Sequence, residues 1–146
     1  MNRGILVILL VLMGASVTSC RRQAVGYRVH FILPDDYRGV FTIVADSTNG
    51  ISVNAVSNVL TCRVPKTGVL SVRMFEPFTV PHEESAAFAN GKLLEMGSHQ
   101  SSNISSGTIA CRSLGMITYP RRAIAYVIGT ESEVDPAYDS LRFRKK

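Results

Sequence analysis

From Tyr27 onward the chain is a succession of short β-favouring segments, each closed by a turn signal, at a spacing of about ten residues. Tyr27, Val29, Phe31 and Leu33 alternate with Arg28, His30 and Ile32, the period-two pattern of a strand with one apolar face. Residues 34–39 (Pro-Asp-Asp-Tyr-Arg-Gly) break that pattern, and residues 40–45 follow as a β-branched run apolar on both sides, which predicts a central strand. A turn at 46–50 ends in Asn49-Gly50. Strands are expected over 51–56, 59–64 and 69–75, the last two separated by Pro65-Lys66-Thr67-Gly68. Residues 76–85, with Pro77 and Pro81, read as a loop. Segments 86–88 and 93–96 flank a second Asn-Gly turn, Asn90-Gly91, and 97–107 is polar, small and loop-like. Three more strands are expected over 108–112, 116–119 and 123–128. Asp135 as cap and Pro136 at the first position predict a short helix to about Phe143, with cations beyond it. The expected fold is mainly β: a small antiparallel β-sandwich or barrel-like domain over 26–146, with a short C-terminal helix.

The first nineteen residues read differently. Arg3 is followed by the apolar run 5–13, Ile-Leu-Val-Ile-Leu-Leu-Val-Leu-Met. A membrane-crossing helix needs about 20 apolar residues, so this run has the length of a signal-peptide core instead. Gly14, Ala15 and Ser16 then lead into Val17-Thr18-Ser19-Cys20. That tetrapeptide resembles the lipobox of bacterial lipoproteins: a branched apolar residue, two small residues, then cysteine. The resemblance implies a diacylglyceryl thioether on Cys20, cleavage between Ser19 and Cys20, and acylation of the new amino group. Residues 1–19 would then be a signal peptide and 20–25 the lipidated cysteine with a short tether. Each acyl methylene buried in lipid contributes about 0.8 kcal/mol, so two or three chains hold durably to a bilayer. Arg21 follows the cysteine in place of the Asp that retains enteric lipoproteins in the inner membrane. The implied location is the cell envelope, on the non-cytoplasmic side, at the outer membrane where the source has one.

Export bears on the remaining cysteines. Cys62 and Cys111 are a candidate disulfide in an oxidising compartment, closing a loop of about 50 residues worth about 4 kcal/mol in the chain-entropy model. The alternative is two buried thiols in separate parts of the core. Sequence spacing offers no metal site: there is no Cys-x-x-Cys, and His30, His82 and His99 are scattered. His82-Glu83-Glu84 begins like a zinc-protease helix, but the second His would fall at Ala86. Asp35 and Asp36 are adjacent carboxylates, better suited to holding a turn than to flanking a substrate; a cation, if any, would go there. No nucleophile-elbow, phosphate-loop or dinucleotide motif occurs, so no catalytic residues and no cofactor are expected.

The chain carries a formal charge of +5, too small to make nucleic acid an attractive partner. Arg121-Arg122 and the terminal cations read as a solvated face, with lipid or cell-wall phosphates as the alternative. The five tyrosines, Tyr27, Tyr37, Tyr119, Tyr126 and Tyr138, read as half-buried packing residues rather than a ligand groove. The segments Leu33 to Gly39 and Val64 to Leu70 resemble an uncharacterised family of bacterial exported domains, with no activity to carry over. The expectation is therefore a membrane-anchored lipoprotein with a non-catalytic structural or binding role. Its partners would be the bilayer through Cys20 and an envelope protein or cell-wall polymer. Two alternatives stand beside it: an inhibitor or immunity-type lipoprotein, and an envelope hydrolase using dispersed carboxylates.

Overall fold

The computed structural model describes residues 26–98, 103–118 and 121–143. Ser19, Cys20 and the remainder of the expected signal and tether segments lie outside them, as do His99 and Tyr119. The strands are β1 (Tyr27–Leu33), β2 (Gly39–Ala45), β3 (Ala55–Val56), β4 (Val59–Arg63), β5 (Val69–Val72), β6 (His82–Phe88), β7 (Leu93–Ser98), β8 (Ala110–Ile117) and β9 (Ala123–Gly129). A single 3₁₀ turn at Glu76–Phe78 precedes β6, and helix α1 (Glu131–Phe143) closes the described chain. The strands form a 9-stranded sheet in the order β3-β4-β1-β6-β7-β8-β9-β2-β5, curled so that its two halves share one core. The β-rich, barrel-like class and the C-terminal helix are as the sequence predicts.

Strand direction is where the fold departs from an antiparallel meander. β1 runs parallel to both β4 and β6, β2 to β5, and β7 to β8. β1 and β2 are joined by a short turn yet do not pair; β2 crosses to the other half and lies between β9 and β5. Strand alternation fixes which face is buried but not which neighbour pairs. The boundaries shift for local reasons as well. Segments expected as two strands at 108–112 and 116–119 are one strand, β8, bent by a bulge between Ser113 and Gly115, where Gly115 has φ 99°. Of the strand expected at 51–56, only an isolated bridge at Ile51 and the two residues of β3 remain. β3 and β4 join through Ser57-Asn58, both at positive φ, the conformation a tight hairpin requires.

The core forms where the alternating faces meet. Phe31, Phe41 and Tyr126 are fully buried, with ring centroids 4.9 to 5.4 Å apart. β9 is buried along its whole length because its second face packs under α1: Leu114, Ala125, Val127 and Val134 form a separate cluster, with Ala137 and Leu141 against it. α1 begins four residues before the expected Asp135. At its start Glu133 reaches back to Thr130, half of a capping box: Glu133 Oε2 accepts from the Thr130 backbone N–H at 2.6 Å and from its hydroxyl at 3.0 Å. Those bonds lower the Glu133 pKa. Pro136 thus lies inside the helix, one turn in, where it forfeits one backbone bond. At the Pro65–Gly68 turn, Gly68 takes φ 72° and a side chain there would strike the Tyr37 hydroxyl, which donates to the Val40 carbonyl at 2.7 Å.

Phe41→Ala is expected to cost about 3–5 kcal/mol in urea unfolding, since it opens a cavity in the ring cluster. Thr130→Ala removes the hydroxyl bond to Glu133 and is expected to cost about 1 kcal/mol. A Phe41→Ala loss no larger than the Thr130→Ala loss would contradict this packing.

Candidate functional site

β6 is paired with β1 along all seven residues, from Tyr27↔His82 to Leu33↔Phe88. Its pairing with β7 stops after Ala86↔Leu94 and Ala87↔Leu93. Beyond that point β7 follows β8, from Glu95↔Ala110 to Ser98↔Ser113. The sheet therefore opens between residues 82–85 of β6 and 95–98 of β7, leaving two strand edges facing a wedge. An open depression of about 510 Å³ occupies it, lined by Val80, Pro81, His82, Glu84, Met96, Gly97, Ser98 and Ser113.

Strand alternation sends His82 and Glu84 to the same side. His82 Nδ1 lies 2.7 Å from the Val80 carbonyl, which can only accept, so Nδ1 carries a hydrogen and donates. His82 Nε2 lies 2.9 Å from Glu84 Oε1, and the Tyr126 hydroxyl donates to that same oxygen. Glu84 Oε1 thus lies between the imidazole and the phenol. The network fastens the open edge of β6 to the ring cluster beneath β9. Burial, and then the Glu84 charge, raise the Tyr126 phenol far above its ordinary range, so it stays a donor at neutral pH. Burial likewise pushes the Cys62 thiol up to about 11 and, with Glu84, the Cys111 thiol higher still.

The structure places the sequence-predicted residues as follows. Cys62 and Cys111 are both buried free thiols, without a bond between them. Their raised pKa values keep them protonated and poorly nucleophilic. Asp35 Oδ1 accepts from the Asn90 backbone N–H at 2.8 Å, which ties the β1–β2 turn to the β6–β7 hairpin at the end of the sheet away from Glu84. Asp36 holds a turn conformation at φ 58°. Among the described residues, no group of three or more His, Cys, Asp or Glu is arranged to hold a metal ion, and no helix is long and apolar enough to cross a membrane. Tyr126 is wholly buried, more than the half-burial expected of it. The triad His82, Glu84 and Tyr126 is the feature that sequence reasoning missed. Its signal was the i, i+2 spacing of His82 and Glu84, which matters only once 82–88 is known to be a strand.

Chemically, the site presents fixed polar groups beside an apolar wall. Both His82 nitrogens are engaged, Nδ1 with the Val80 carbonyl and Nε2 with Glu84, while Ser98 and Ser113 line the same depression.

No protein-family model matches the chain. No curated protein matches it. Its fold is similar to the crystal structure of a “putative lipoprotein” from Bacillus anthracis, at 11% identity and a TM-score of 0.40, over 68% of each chain. That likeness is too slight to bear on family or function.

Two outcomes follow. Tyr126→Phe and Glu84→Gln should be non-additive in urea unfolding by at least about 1 kcal/mol, because they share one charge-assisted bond; additive losses would contradict the network. Stability should also fall as pH rises above 9. Burial pushes the Cys62 thiol from an ordinary 9.0 up to about 11, so the unfolded chain releases its proton first and folding loses stability across that window. Two units correspond to roughly 3 kcal/mol for this thiol. Urea midpoints that stay flat between pH 8 and about 11 would contradict its burial as a free thiol.

Proposed function

We propose that this chain is a bacterial lipoprotein, anchored through acylated Cys20 in an envelope membrane, whose β domain has a non-catalytic binding role. The observation that carries the anchor is the residue pattern itself: Arg3, the apolar run 5–13, then Val17-Thr18-Ser19-Cys20. The binding role is supported by the wedge between β6 and β7, which offers two open strand edges and a polar wall. The polar wall is made of groups already engaged with one another, which suits recognition better than proton transfer. Open edges of this kind favour an extended polypeptide, by strand addition, over a cell-wall polymer. This arrangement also serves the inhibitor or immunity-type reading, in which the polypeptide belongs to an envelope protein. The hydrolase reading has less support, since Asp35 is spent on a turn and Glu84 is held by His82 and Tyr126.

The anchor is tested in cells. Cys20→Ala should abolish incorporation of a fatty-acid analogue and release the protein from the membrane fraction. Unchanged labelling would overturn the proposal. For the binding role, a photo-crosslinking residue at Ser98, on the wedge, should trap a specific protein that the same residue at Lys66 does not. Equal capture from both positions, or none from either, would contradict it.

A further inference from the structure

The parallel pairings define two ends of the sheet. β1, β4 and β6 begin at the same end, where Tyr27 lies opposite His82 and Arg28 opposite Val59. The chain from β5 crosses this end through Arg73 to Pro81 before entering β6, with Phe75 and Phe78 turned into the core. β8 ends here, and β9 begins, at Ile117↔Ala123.

This end differs from its opposite in what it exposes. Of the large apolar residues left open to solvent, Ile51 at 51%, Val56 at 75%, Met74 at 57% and Met116 at 49% all belong to it. Among them stand four arginines. Arg28 pairs with Glu83 and Arg121 with Asp46, each at 3.2 Å. Arg73 donates to the Gly50 carbonyl and Arg122 lies 5.5 Å over the Phe75 ring, and neither has a carboxylate partner among the described residues. Glu76 is a further exposed acid here. The opposite end exposes two large apolar residues, Val69 and Leu93, and sets Arg38, Arg63, Lys66 and Lys92 among Asp35, Asp36, Glu131 and Glu133, so the two ends differ in apolar exposure rather than in net charge.

We infer that the Tyr27 end of the domain is a membrane-docking surface. Its occupant is the headgroup region of the bilayer that holds Cys20, with the apolar side chains entering the interface and the arginines meeting lipid phosphates. This rests on the lipid-anchor reading above. The length of chain decides the occupant. Residues 21–26 alone separate Cys20 from Tyr27, a reach of at most about 25 Å, and they include Arg21 and Arg22. An acylated Cys20 would keep this end, and not the far one, beside the lipid. The wedge between β6 and β7 sits at the same end, so the polypeptide it takes would be bound close to the membrane surface.

The test uses the full-length protein, processed in cells, purified from membranes and reconstituted into phosphatidylethanolamine–phosphatidylglycerol vesicles. Met74→Cys and Leu93→Cys carry an environment-sensitive dye; Cys62 and Cys111 are buried, and labelling of the parent protein corrects for them. Quenching by a lipid-borne quencher should be several-fold stronger at position 74 than at position 93. Equal or absent quenching at both positions, in protein that still floats with the vesicles, would overturn the docking surface while leaving the anchor intact. Protein that fails to float would instead overturn the anchor, and the docking surface with it.

Discussion

Tyr126 joins the two halves of the sheet. Its ring stacks on Phe41 of β2 and tilts against Phe31 of β1, strands that lie on opposite arms of the curl. Its hydroxyl reaches the other way, to Glu84 on β6. A buried phenol without a partner would cost about 1–3 kcal/mol, so the carboxylate must approach the core, and His82 comes with it. The wedge between β6 and β7 follows from this. Glu84 and His82 line the depression where pairing with β7 has stopped. β7 satisfies its other edge on β8. A polar group brought inward to serve the core thus becomes the wall of a depression on the surface.

The fold was legible where the pattern is local. Alternation in β1, the apolar run of β2 and the buried strand at β9 are all visible in the residues, because each repeats the geometry of the strand it forms. Partner choice was not visible. β1 and β2 are neighbours in sequence but sit in different halves, and what separates them is packing of Phe31 and Phe41 on a ring far along the chain. α1 shows competition between two local signals. Asp135-Pro136 and Thr130-x-x-Glu133 both mark a helix start, and the second prevails because Glu133 accepts from two Thr130 donors while Pro136 forfeits one bond.

The site was hidden for a related reason. Pro77 and Pro81 precede four polar residues, His82 to Ser85, and the whole stretch reads as loop. Residues 82–85 belong to a strand that tolerates polar residues because one edge is satisfied by β1 and the other opens to the wedge. The bond from Tyr126 to Glu84 spans 42 positions, beyond the reach of any periodicity. Arg112 is a further surprise: it is 2% exposed, and its Nε and Nη2 have no hydrogen-bond partner among the described residues. Nothing in the described structure explains that burial.

In the proposed reading, one cysteine a few residues ahead of the first strand holds the domain to a membrane. The most direct measurement of that claim is the mass of the mature N-terminal peptide, isolated from membranes. The proposed anchor requires a chain beginning at Cys20 and carrying a diacylglyceryl group on its sulfur. A chain beginning elsewhere, or an unmodified Cys20, would contradict it.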